Sequence, residues 1–256
     1  QSGADAVTAS DHWAIYSAAP GGNAFDNLDS GNTALWNSDI DLAAPGSVGG
    51  NRYIFAYQPL VTFTRLDVAK TYGDDLTGLL GTLYTVSGLQ PGVAGAFLGD
   101  TAASAFSGTP LVTSGGLAER ASVAGGPYAI TLGNGSLASA SGYTFAFDSS
   151  GEIIVNPLGV AGTATIDDRI YDGTTNATGS VSLTGVLAGD DVSTTGGTFT
   201  FLSPHAGVQT VNVSGVSLAG ADAGNYTLTL PATAVAEILR RAITGTVTVD
   251  NRVYDG

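Results

Sequence analysis

The chain has 256 residues, 22 acidic and 8 basic, for a formal net charge of −14, with 37 Gly, 9 Pro and neither Cys nor Met. With 43 % hydrophobic and 12 % charged residues it can build real cores and is too weakly charged to stay an unfolded polyelectrolyte. The lack of Cys removes disulfides, thiolate nucleophiles and zinc–thiolate sites, and the acidic balance, with basic residues scattered singly apart from Arg240-Arg241, excludes an electrostatic footprint for nucleic acid.

Nineteen Asp stand against three Glu and seven Arg against one Lys, while Thr, Ser, Ala, Val and Gly dominate, a bias that favours turns and strands over helices. Residues 1–59 contain both tryptophans, Trp13 and Trp36, a Gly/Asn-rich stretch at 21–33 and an apolar run at Tyr53–Tyr57. They read as a β-rich segment that ends some preceding structure and packs against the first module. Further strands are predicted at Tyr128–Leu132, Thr144–Phe147, Glu152–Val155, Thr198–Phe201, Thr210–Val213 and Tyr226–Leu230, each set between Gly, Asn, Asp and Ser clusters. The fold class is all-β. No apolar run approaches the ~18 residues of a membrane helix. Gln1 opens no leader of the charged-then-apolar kind, so the reading is a processed chain with no membrane insertion.

An internal repeat is the strongest signal. GTATIDDRIYDG at 162–173 returns as GTVTVDNRVYDG at 245–256, with Tyr171 and Tyr254 standing 83 residues apart. A fainter copy, Lys70-Thr71-Tyr72-Gly73-Asp74-Asp75, precedes both, and the endings SGYTF (141–145) and AGNYTL (223–228) also match. The implied organisation is a module at 60–158, a second at 159–241, and the first strand of a further repeat at 242–256.

At these residues the chain resembles known families. KTYGDD, TVSGL at 85–89, GGPYAI at 125–130, SGYTFAF and EIIVNP resemble the mostly bacterial Ig-like modules called MBG domains. The two YDG tripeptides, TGSVSLTGVLAGDDV and AGADAGNYTLTL resemble the YDG repeat, and DHWAIYSAAP, LDSGNTALW and GNRYIFAYQP are similar to the segment preceding such modules in filamentous-haemagglutinin-like exoproteins. The resemblance implies tandem Ig-like β-sandwich modules behind an N-terminal β-rich segment, in a large secreted adhesin on a bacterial cell surface.

The Tyr-Asp-Gly motifs read as a ring packed at a module corner, an Asp capping a turn and a Gly at positive φ. Tyr72, Tyr171, Asp172, Gly173, Tyr254, Asp255 and Gly256 are therefore candidates for a joint between modules. The unpaired run at the C-terminal end offers Ile243, Thr244, Val247 and Val249 for strand exchange. Asp74-Asp75, Asp167-Asp168 and Asp190-Asp191 supply oxygen ligands of the type calcium takes, but no D-x-D-x-D-G loop is present, so no cofactor is expected and calcium is a minor alternative. Lys70 reads as an exposed lysine on an edge strand, and a lysine–asparagine isopeptide bond is the sharper, less favoured reading. With two histidines, His12 and His205, and no nucleophile elbow, zinc-protease or phosphate-loop motif, no enzymatic role is expected.

The functional expectation is a non-enzymatic stalk, whose partners are neighbouring modules or identical subunits and a host-cell or glycan receptor. One alternative is a filament subunit joined by strand exchange through residues 242–256. Another is a glycan-binding module using Trp13, Trp36 or Tyr57, although the tryptophans read first as core anchors.

Overall fold

The computed structural model describes residues 11–148 and 150–256. The described residues are all-β apart from one four-residue helix and short 3-10 turns, and the chain divides into two compact units, Gln1–Asn156 and Pro157–Gly256. Among the described residues no helix is long and apolar enough to cross a membrane.

In the first unit β1 (Ala14–Ser17) lies parallel to β2 (Arg52–Phe55). Next come β3 (Leu60–Arg65), β4 (Val68–Thr71), β5 (Tyr84–Ser87), β6 (Leu111–Thr113), β7 (Tyr128–Ala129), β8 (Thr131–Gly133), β9 (Thr144–Asp148) and β10 (Glu152–Asn156), with the helix at Ala102–Ala105. β3 is the middle of a three-stranded sheet, antiparallel to β5 and parallel to β9. β10 is the middle of another, parallel to β4 and antiparallel to β7, and β6 pairs with β8. The strand predicted over 128–132 is thus two: Ile130, fully buried, donates its N–H to Gly151 instead of continuing a ladder, and β7 and β8 enter different sheets.

Residues 11–59 form part of this unit. Trp36 donates its N–H to Ser141, Ser30 donates to Ala96, and the Trp36 ring lies 5.2 Å from Phe55 in a stack, with Phe97 and Tyr143 edge-on. A second aromatic group gathers Phe106, Phe145 and Phe147 around Phe63. Such rings bury large apolar areas, and Phe55 and Phe63, fully buried, each contribute on the order of 2–3 kcal/mol of burial free energy.

The second unit has β11 (Leu158–Ile166), β12 (Arg169–Ile170), β13 (Asn176–Ala177), β14 (Gly179–Thr184), β15 (Ser193–Phe201), β16 (Gly207–Ala219), β17 (Tyr226–Thr229) and β18 (Thr233–Leu239). β11 sits between antiparallel β14 and parallel β17, and a five-stranded sheet runs β12-β18-β16-β15-β13. Period-two alternation buries one face of each strand, so Ile166, Phe201, Val211, Ala236 and Ile238 meet in one core.

From β3 onward the first unit shares a chain path with the second. Counting from β3 or from β11, the opening strand is parallel to the penultimate one, and the short strand after it is parallel to the last. Val61 faces Phe145 and Val160 faces Leu228; Thr71 faces Asn156 and Ile170 faces Leu239. From Phe145 to Leu228 and from Asn156 to Leu239 the spacing is 83 residues, the spacing of Tyr171 and Tyr254. Glycine marks the same turn in both. Gly88 (φ 89°) and Gly185 (φ 94°) follow the strand antiparallel to the opener, and a Cβ on Gly88 would lie 2.1 Å from the Leu60 carbonyl oxygen.

Residues 242–256 adopt no strand. Ile243, Val247, Val249, Val253 and Tyr254 are 86–92 % exposed.

Gly142 combines φ 92° with a position where a Cβ would fall 1.9 Å from the Trp36 carbonyl oxygen. Gly142→Ala is expected to destabilise the first unit by roughly 3 kcal/mol, through strain at positive φ and displacement of the Trp36 strap. Gly224→Ala, in open space, should stay within about 0.5 kcal/mol of the parent. Urea unfolding of the two variants checks both.

Candidate functional site

Two side-chain arrangements recur at the same positions of the shared path, one at each end of a unit. The first is a tyrosine latch. After the Gly88 turn, the Gln90 N–H donates to the Tyr143 hydroxyl at 2.9 Å, and that hydroxyl donates to Asp100 Oδ2 at 2.6 Å. After the Gly185 turn, the Leu187 N–H donates to the Tyr226 hydroxyl at 3.2 Å, and the hydroxyl donates to Asp190. In the first unit Asp100 also accepts from the Trp36 indole N–H at 2.8 Å, so one carboxylate ties the N-terminal segment to the closing strand. Burial, followed by the hydrogen bond to Asp100, raises the pKa of the Tyr143 phenol well above its ordinary value.

The second arrangement is a cation two residues before the motif tyrosine. Lys70 is 4 % exposed, and its Nζ donates to the carbonyls of Asp74 (2.9 Å) and Ala118. This corrects the exposed-lysine reading: β4 is an edge strand, but the 117–119 segment folds over it and hides the side chain. Burial lowers the Lys70 pKa, opposed by the nearby charges of Asp74, Asp75 and Glu119. The counterpart Arg169 donates to the carbonyls of Thr174 and Asn176, pairs with Asp172 and lies over the Phe201 ring, 5.7 Å from its centroid. Arg252 repeats the i,i+3 pair with Asp255, 2.9 Å.

The tyrosines themselves hold the same backbone place but differ in surroundings. Tyr72 donates its N–H to Asn156 and Tyr171 donates to Leu239, both at 2.8 Å. Tyr72 is 3 % exposed, beneath the longer middle of the first unit, where Gly73 donates to Glu119 and Leu76 to Leu117. Tyr171 is 40 % exposed and lines an open groove with His205, Ala206, Arg240, Arg241 and Ile243. Of the joint candidates, Tyr72 is therefore an interior residue of its own unit and presents no outer face. Asp172 accepts from the Thr174 N–H at 2.9 Å and Gly173 has φ 80°, while Tyr254, Asp255 and Gly256 lie in the exposed C-terminal stretch with Ile243, Thr244, Val247 and Val249.

The acidic pairs accept hydrogen bonds within their own unit. Asp74 accepts from the Thr71 N–H, Asp191 from Ala221, Asp167 from the Thr178 hydroxyl and Asp168 from Glu237 N–H. The Asp75 pKa is lowered, first by the Thr77 backbone N–H and then by the Thr77 hydroxyl. Among the described residues no group of three or more His, Asp or Glu is placed to hold a metal ion. Trp36 is 2 % exposed, so it has no ring face to offer a sugar. His205 is exposed in the turn between β15 and β16, and His12 contacts Asp11.

A YDG domain is found at residues 156–235. No curated protein and no solved structure matches the chain. The tyrosine latch and the buried cation were not read from the sequence, although SGYTF and AGNYTL, and Lys and Arg two places before each motif tyrosine, were visible signals.

Tyr143→Phe removes a buried donor to Asp100 and is expected to cost about 1–2 kcal/mol at neutral pH. Because the folded state keeps this phenol protonated to higher pH than the unfolded chain does, its contribution is intact below about pH 10 and is lost as pH rises through the raised folded value. Stability of the variant should therefore fall less steeply above about pH 10. Urea unfolding across alkaline pH, with phenolate absorbance to follow ionisation, measures both effects.

Proposed function

We propose that this chain is a load-bearing stalk segment of a large secreted bacterial surface adhesin, built of tandem Ig-like sandwich modules. In this reading residues 11–59 are the segment that precedes such modules, residues 60–158 an MBG-type module, and the YDG domain one member of a repeat series that restarts at residue 245. Its partners are neighbouring modules, the receptor-binding region lies elsewhere in the protein, and no catalysis is assigned.

The observation carrying the proposal is the parallel pairing of opening and closing strands in both units. Tension applied at the two ends of such a unit loads β3·β9 with β4·β10, or β11·β17 with β12·β18, in shear. The hydrogen bonds of a sheared pair must yield together, whereas those of a hairpin pulled from its open end break one at a time. A one-dimensional array of such units sets reach by their number.

Single-molecule pulling on the chain ends is expected to give two separate unfolding events, one per unit, each releasing up to about 3.6 Å per unfolded residue. Light scattering in dilute solution is expected to give monomers, with or without residues 242–256. A single low-force event, or filaments in dilute solution, would overturn the stalk reading.

A further inference from the structure

We propose that the outer face of the five-stranded sheet in the second unit is a contact surface for a second copy of this chain, paired about a two-fold axis. The proposal does not rest on the stalk reading, and it uses no residue beyond Arg241.

The outer faces of the two sheets in this unit differ in kind. On the three-stranded sheet the exposed positions are small or hydroxyl-bearing, among them Thr163, Thr165, Ser180, Ser182, Thr227 and Thr229. All five exposed Val, Leu and Ile residues of 157–241 (Ile170, Leu202, Val208, Val235 and Leu239) instead gather on the five-stranded sheet, at 43–73 % exposure. Alternation puts them on the face opposite the core. Arg169, over the Phe201 ring, pairs with buried Ile238 on the inner side, so Ile170 and Leu239 pair on the outer one. Val208 faces Glu237, Val235 faces Thr210, and Leu202, one step past the Phe201–Val211 pair, donates its N–H to Thr210. Closure of the unit does not require this patch. At the 83-residue spacing Val235, Glu237 and Leu239 correspond to Glu152, Ile154 and Asn156 of the first unit, with one aliphatic residue among the three.

Charge decides the occupant. Glu237 stands inside the patch, between Val235 and Leu239 on β18 and opposite Val208, and its carboxylate has no partner among the described residues. Of the eight basic residues, Arg52, Arg65, Lys70, Arg120, Arg169 and Arg252 bond to groups close by in the chain or in their own unit. Arg240 and Arg241, which follow Leu239 at the end of β18, have no hydrogen bond or ion pair among the described residues, Glu237 of their own chain included. A two-fold axis makes every contact reciprocal, so each copy's arginines meet the other's Glu237 while both aliphatic faces leave water. The largest apolar patch of a monomer is commonly ~300–600 Å² and often functional, and five half-exposed aliphatic side chains give an area on that order. Two such faces bury roughly the 1,200 Å² or less of a transient contact, short of the ~1,600 Å² of a stable complex. The pair therefore forms at high local concentration and separates on dilution.

Sedimentation velocity of the full chain from micromolar to millimolar concentration is expected to show a weight-average mass that rises from 25.5 kDa toward twice that value. Val208→Thr/Val235→Thr keeps the β-branched shape and should weaken association by about tenfold or more, with circular dichroism unchanged. Glu237→Arg and, separately, Arg240→Glu/Arg241→Glu should each abolish it, because like charges then meet across the axis. Mixing these two variants should restore a mixed pair, in which opposite charges meet again. A chain that stays monomeric at millimolar concentration, association that survives the threonine pair, or a mixture that fails to associate would each overturn the proposal. Self-association through apolar residues beyond Arg241 gives the second of these outcomes, being indifferent to Val208 and Val235. None of the outcomes bears on the pulling behaviour.

Discussion

The rest of the structure depends on one demand of the backbone. The opening strand of each unit lies in the middle of a three-stranded sheet, so its polar groups need partners on both sides. One side is supplied by a strand close in sequence, β5 for β3 and β14 for β11. The other must come from the far end of the unit, and it comes in parallel. A parallel neighbour cannot be reached by a tight turn, so the intervening chain is obliged to cross over before it returns. That long return separates each opening strand from its parallel partner in sequence.

The side chains found at each end are consequences of this closure. At the start of the opening strand, the turn after Gly88 or Gly185 brings a backbone N–H inward, and the latch tyrosine of the closing strand meets it with its hydroxyl. At the other end, the short second strand carries one cation and stops just before the motif tyrosine. Lys70 bonds to the carbonyls of Asp74 and Ala118, and Arg169 to those of Thr174 and Asn176. A buried carbonyl without a donor costs on the order of 1–3 kcal/mol. The cation two places before the tyrosine is thus a structural requirement of the motif, and its charge is spent inside the unit.

The same motif has unlike surroundings in the two units. The longer middle of the first unit lays residues 117–119 over Lys70 and Tyr72, so that end is sealed by the unit's own chain. The second unit has no such cover, and Tyr171 stays 40 % exposed beside Arg240, Arg241 and Ile243. An insertion of ordinary loop sequence is enough to turn an outer surface into an interior one. Tripeptide identity alone therefore does not decide whether a YDG-like tyrosine can meet another module.

The sequence by itself determined the strands, the repeat and the excluded chemistries. Period-two alternation is local, so runs such as Glu152–Val155 and Tyr226–Leu230 declare themselves, and the 83-residue spacing is plain in the residues. Only the tertiary structure decided that the opening and closing strands run parallel, that the 128–132 run splits between two sheets, and that Lys70 is buried. These outcomes rest on partners tens of residues away: Asn156 for Tyr72, Asp100 for Tyr143, Ala118 for Lys70. A strand's own residues fix which faces it offers, but the hydrogen bonds that choose its neighbours, and the chain that covers its edge, exist only once the unit has closed.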